Sequence, residues 1–115
     1  MNKDAIYLRH IMDEINFLKS SSKGLRKASL KREPLHQRAF SRSLEIIGEA
    51  VKNLSDDFTM RHPDIDWRGI AGLRDKLIHH YFGIDWDVVW DTIKKELPKL
   101  KRTIERGLKE MGGQR

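Results

Sequence analysis

Cysteine is absent from this chain of 115 residues. Its absence excludes disulfides and any zinc site built on thiolates, and it fits a reducing cytosol. No apolar run approaches the length needed to span a bilayer, so no membrane association is expected. The first residues, MNKDAIYLRH, reach charge at once, which gives the expectation of no signal peptide and a cytoplasmic protein. Strand-type alternation of apolar and polar residues is missing, and this argues against a sheet. There is no Gly-rich phosphate loop, no recognisable carboxylate pair for a metal, no internal repeat and no low-complexity segment. No cofactor is expected.

What is present is a helical, highly charged composition: 38% hydrophobic and 35% charged residues. A chain of this length forms one domain, read here as residues 1–115, with a modest core. Pairing with a second copy is one way for it to bury more surface. The net charge of +6 is localised. Residues 19–38 hold Lys19, Lys23, Arg26, Lys27, Lys31, Arg32 and Arg38 against the single acid Glu33, and the rest of the chain is neutral. Such a segment suits an anionic partner such as nucleic acid. From charge alone, a solvated basic loop is the stronger reading.

Apolar spacing predicts a first helix over residues 3–19, with Leu8, Ile11, Ile15 and Leu18 on one stripe, broken by Ser20–Ser22 and Gly24. Residues 25–33 form either a short helix or a loop. Pro34 opens a long helix to about Leu54, with Phe40, Leu44, Ile47, Val51 and Leu54 on its stripe, and Gly48 marks a close helix contact. Residues 55–66 read as a loop with room for one helical turn. Asp66 caps a helix beginning at Trp67, whose stripe is Ile70, Leu73, Leu77 and Tyr81 and which Gly83 stops. Asp85 caps the last helix, carrying Val89, Ile93, Leu97, Leu100, Ile104, Leu108 and Met111, with a kink at Pro98. The architecture predicted is an all-α antiparallel bundle of four to five helices.

The densest concentration of groups able to move protons or bind phosphate is LRDKLIHHYFG, residues 73–83. On an ideal helix Arg74 and His79 are about 140° apart around the axis and about 7.5 Å apart along it. Both reach one phosphate only if the helix loosens near His79 or if a second subunit completes the site, so a symmetric dimer with a shared cleft is a physical expectation. Metal-independent RNA cleavage needs a base for the ribose 2′-hydroxyl and an acid for the leaving 5′-oxygen, and histidine serves either role. Arginine forks onto phosphate oxygens and stabilises developing charge. Tyr81 can stack on a base or donate a hydrogen bond. The plainer reading is equally physical: histidines favour the last helical turn, Arg74 and Asp75 suit a surface, and Tyr81 has the phase of a half-buried core residue. The scattered His10, His36 and His62 are read as surface residues without metal-ligand spacing, and Trp67, Trp86 and Trp90 as core or dimer-interface residues.

The run Arg74-Asp75-Lys76-Leu77-Ile78-His79-His80-Tyr81 resembles the R-x-x-x-x-H-x-Y motif of HepT-like toxins, a branch of the HEPN ribonuclease superfamily and the toxin half of type VII HepT/MntA toxin–antitoxin pairs. SLEIIGEAVKNL (43–54), HPDIDWRGIAGLRDKLIHHYFGIDWDVVW (62–90) and ELPKL (96–100) are similar to the family pattern in the same order. The resemblance spans nearly the whole chain and fits least over residues 20–38. It implies a HEPN-like bundle that dimerises, a metal-independent endoribonuclease acting on RNA, and a catalytic pair of Arg74 on the phosphate and His79 in proton transfer. It also implies that Tyr81 accepts AMP from a minimal nucleotidyltransferase antitoxin, and this would fill the phosphate site with charge and bulk. Where the family has a polar residue after the arginine, often asparagine, this chain has Asp75. That departure either places a negative charge beside the phosphate or orients Arg74 or a histidine. His80 falls on a variable position and stands with Asp75 as a supporting candidate.

Two other functions fit the same residues. One is a non-catalytic helical dimer that binds a nucleotidyltransferase partner, nucleotide or RNA. The other is a plain helical dimer whose motif is vestigial.

Overall fold

The computed structural model describes residues 3–79 and 84–112, with their side chains except those of Arg74 and residues 76–79. Its helices are α1 (Lys3–Ser22), α2 (Lys27–Leu30), α3 (Pro34–Lys52), α4 (Asp56–Arg61), α5 (Trp67–His79), α6 (Trp86–Asp91) and α7 (Leu97–Glu110). A π-helical turn, Thr92–Glu96, joins α6 to α7 without a break. The long elements are therefore α1, α3, α5 and the rod from Trp86 to Glu110, with α2 and α4 as short connectors. The expected all-α bundle is observed, and no strand occurs among the described residues.

The stripes read from the sequence form the core. Leu8, Ile11, Ile15 and Leu18 of α1 are buried against Phe40, Leu44, Ile47 and Val51 of α3 and Leu97, Leu100 and Ile104 of α7. Each such side chain contributes roughly 1.5–3 kcal/mol on leaving water, the main drive for closing the bundle. Cross-links fix the helix directions. Ser55 meets Asp4, whereas Ser43 meets Glu14, so α3 runs antiparallel to α1. Lys94 bonds to Ser22, whereas a Cβ on Gly107 would touch Leu8, so the final rod is also antiparallel to α1. α3 packs against both α1 and α5 and stands at the centre. Gly48 is buried within it.

The structure corrects two readings. The triple serine does not end α1. Ser20 and Ser22 return their hydroxyls to the carbonyls of Phe17 and Lys19 at 3.3 and 3.4 Å, local bonds that let the helix continue to Ser22. The chain turns only at Gly24, where φ is +78°. The short helical turn for which the 55–66 loop has room is α4, and Ser55 starts it by accepting a capping bond from the Phe58 N–H at 3.1 Å while donating to Asp4 at 2.6 Å. His62, read as a surface residue, is buried against the Phe58 ring, with centroids 4.6 Å apart.

Where the sequence predicts a kink at Pro98, the structure has a widened turn just before it. With no N–H to give, Pro98 cannot close the normal bond to residue 94. The preceding turn widens, so that the Leu97 N–H reaches the Thr92 carbonyl, five residues back.

Candidate active site

α5 carries three of the candidate residues: Arg74, Asp75 and His79, the last of these being its final residue. Its start is fixed by Asp66, whose side chain accepts from the Gly69 N–H at 3.0 Å and whose carbonyl accepts from the Ile70 N–H at 3.1 Å. The Trp67 indole donates to the His62 carbonyl at 2.9 Å and meets Phe58 edge-on. Ile70 and Leu73 lean on the core, and α5 lies along α3. The Asp66 cap and the first half of the predicted stripe are thus as read from the sequence, and Trp67, Trp86 and Trp90 pack against the core.

The backbone is α-helical through His79. Within one subunit, Arg74 and His79 therefore keep the separation of a regular helix, about 140° around and about 7.5 Å along the axis. Asp75 is exposed. His80 and Tyr81 lie outside the described residues, as does the stop expected at Gly83.

The far flank of this segment is also anchored. Asp85 caps α6 by accepting from the N–H groups of Asp87 and Val88 at 3.0 and 3.3 Å. Asp87 pairs with Lys31 at 3.0 Å and Lys27 at 3.4 Å, both near α2. The Lys31 ammonium above all, assisted by Lys27, holds the Asp87 carboxyl below the usual carboxylate range. Two cations of the basic segment 19–38 are thereby engaged in holding α6 to α2. Lys23, Arg26, Arg32 and Arg38 form no ion pair among the described residues.

The remaining histidines have separate surroundings. His10 meets Tyr7 edge-on, His36 Nδ1 lies 2.7 Å from Glu33 Oε1, and His62 Nε2 lies 3.4 Å from Glu110 Oε1. Among the described residues, no group of three or more His, Asp or Glu is placed to hold a metal ion. No helix among them is long and apolar enough to cross a membrane.

A helical bundle with an Arg-x-x-x-x-His step at the end of one core helix defines the class: an all-α helical-bundle domain. The chain belongs to the HepT-like family, described as "Ribonuclease HepT-like", which it matches over residues 11–107. A relative from Caldanaerobacter subterraneus subsp. tengcongensis is 47% identical over 104 residues, covering 90% of this chain and 93% of the relative. One from Thermococcus cleftensis is 42% identical over 100 residues, covering 87% and 91%. One from Methanocaldococcus jannaschii is 50% identical over 78 residues, covering 68% and 64%. The first and third carry the name "Putative RNase", and the second "Probable ribonuclease HepT". No solved structure matches this chain.

Proposed function

We propose that this chain is a single-domain, cytoplasmic endoribonuclease that cuts RNA without a metal ion, and that it acts as the toxin of a toxin–antitoxin pair. The observation that carries the reading is the match to the ribonuclease family across residues 11–107, which contains the whole Arg74–Tyr81 motif. The regular course of α5 through His79 supports the dimeric version. A five-residue step on an unbroken helix separates the two groups, and a second copy supplies the missing partner at one cleft.

In this reading His79 of one subunit takes the proton from the ribose 2′-hydroxyl, and the 2′-oxygen attacks phosphorus. The P–O5′ bond breaks as the new bond forms, and the leaving 5′-oxygen takes its proton from His79 of the other subunit. One imidazole cannot be empty and loaded at the same moment, so two copies suit the two roles. The products are a 2′,3′-cyclic phosphate and a free 5′-hydroxyl. Arg74 neutralises the charge that builds on the non-bridging oxygens. Asp75 and His80 are supporting residues. Tyr81 is the acceptor of AMP from a nucleotidyltransferase antitoxin, and the modified side chain occupies the phosphate site and silences the enzyme.

The test is cleavage of a defined RNA in EDTA by the full chain. Wild type yields cyclic-phosphate ends, and Arg74→Ala and His79→Ala each lose at least about a hundredfold in rate, the scale of a lost acid–base or charge-stabilising group. If wild type is inert, or if both variants cut as well as it does, the enzyme reading is lost and the non-catalytic binding dimer replaces it.

A further inference from the structure

A second cationic site, lined by no residue of α5, lies where α1 faces the final rod. It is a cavity of about 490 Å³, and Lys19, Lys94, Lys101 and Arg102 surround it with Glu105 as the acid among its lining residues. Its floor is apolar: Ile15, Ile93 and Leu97 are buried, and Pro98 adds an exposed ring. Lys19, Lys101 and Arg102 form no ion pair among the described residues. Lys94 is held by neutral groups, donating to the Ser22 carbonyl at 3.2 Å and the Ser22 hydroxyl at 3.1 Å, with the Trp90 ring centroid 5.0 Å away. Its charge is therefore oriented and uncancelled.

A count of charge along the chain hides this face, because it places the whole excess at residues 19–38. Lys94, Pro98, Lys101, Arg102 and Glu105 recur at three- and four-residue steps, out of phase with the buried Ile93, Leu97, Leu100 and Ile104. The π-helical turn decides which residues share the face, since Lys94 lies inside it. Turns of this kind recur at functional sites. A neighbouring depression along α7 is lined by Arg102, Glu105, Arg106 and Lys109, where Arg106 is paired with Asp64 at 3.6 Å.

We infer that this groove between α1 and α7 binds the backbone of single-stranded RNA outside the Arg74–His79 centre, with phosphates on Lys19, Lys101 and Arg102 and a sugar or base on the apolar floor. The volume lies within the range of small-molecule sites. A positively charged groove that tracks the backbone is how proteins hold single strands without reading sequence. A purely acidic protein segment such as polyglutamate would use the cations but would leave the apolar floor without a matching group. The identity of the anion rests on the ribonuclease reading, while the existence of the site does not.

The experiment uses the full chain carrying His79→Ala, so that the RNA stays intact, and a short fluorescent single-stranded RNA titrated across a range of salt. Lys19→Gln, Lys101→Gln and Arg102→Gln are combined in one variant. A control combines Lys23→Gln, Arg32→Gln and Arg38→Gln, which removes the same charge from the basic segment. Each phosphate of a single strand that loses its cationic partner lowers the slope of log K against log salt by about 0.7, so the groove variant is expected to lose about 2 from that slope while the control keeps it. Equal slopes in the two variants, or no change in the groove variant, overturn the proposal. So does an equal loss of binding to polyglutamate, which would assign the groove to an acidic protein. Cleavage by the same groove substitutions with His79 intact separates the two ideas. A slope change with an inert wild type removes only the ribonuclease reading, and an active wild type with an unmoved slope removes only the groove.

Discussion

Gly107 lies in the interior of α7, a position where alanine normally gains about 1 kcal/mol of helix propensity. Here an added Cβ would lie 2.6 Å from Phe58 Cε1 and 2.8 Å from Cζ. Phe58 has no room to retreat, being fully buried between His62 and Trp67. Overpacking of this kind costs about 1–3 kcal/mol. Gly107→Ala is therefore expected to be net destabilising, lowering the thermal midpoint by roughly 5 °C, with Phe58→Leu in the same chain recovering part of the loss. An unchanged or raised midpoint would mean that α4 shifts freely. At this scale the apolar stripes were legible because burial follows a 3.6-residue period that the sequence displays. Gly107 was not, because Phe58 comes to it from another helix, and His62 was not, because α4 is too short to display a period and Glu110 reaches it from the far end of the chain. The candidate site shows the same division. That Arg74, Asp75 and His79 share one helix was readable from spacing, whereas Lys94 and its Ser22 partner are 72 residues apart in the chain.

Among the elements, the caps at Asp66 and Asp85 and the opening at Pro34 were readable because each is a local rule satisfied within four residues. The continuation of α1 through its serines was not, since serine favours either outcome and the packing of Ser22 beside Lys94 selects the helix. The pairing of α2 with α6 has a direct consequence. Asp87 titrates below its ordinary value because the ammonium groups of Lys31 and Lys27 favour its charged form. A depressed folded value adds stability above the unfolded carboxylate range, and that contribution is lost as pH falls through the folded value. Fluorescence of Trp86 and Trp90, which flank Asp87, is expected to change on acidification below about pH 4 before the global unfolding step. In Asp87→Asn the early change should be absent, and added salt should shrink it in wild type because the pair is exposed. An identical acid profile in the variant would show that α6 is held by its apolar contacts alone.

For the whole molecule, the decisive property is whether function belongs to one chain or two. The bundle seats α5 on α3 and α6 on α2, so the segment carrying the motif is presented between two anchored flanks. Moving Arg74 toward His79 within one chain would require α5 to unwind before its final residue, breaking backbone bonds in a helix that caps and packs well. Symmetric pairing needs no such change. If the base and the acid are the two copies of His79, every active dimer needs both. Mixing wild type with an equal amount of His79→Ala and allowing subunits to exchange should then leave about a quarter of the wild-type activity, the share of dimers with two wild-type subunits under random pairing. Chains that act alone would leave half. The same mixtures, titrated from pure wild type to pure variant, should follow the square of the wild-type fraction. A straight line would assign both proton transfers to the His79 of one subunit, served by Arg74 of either chain.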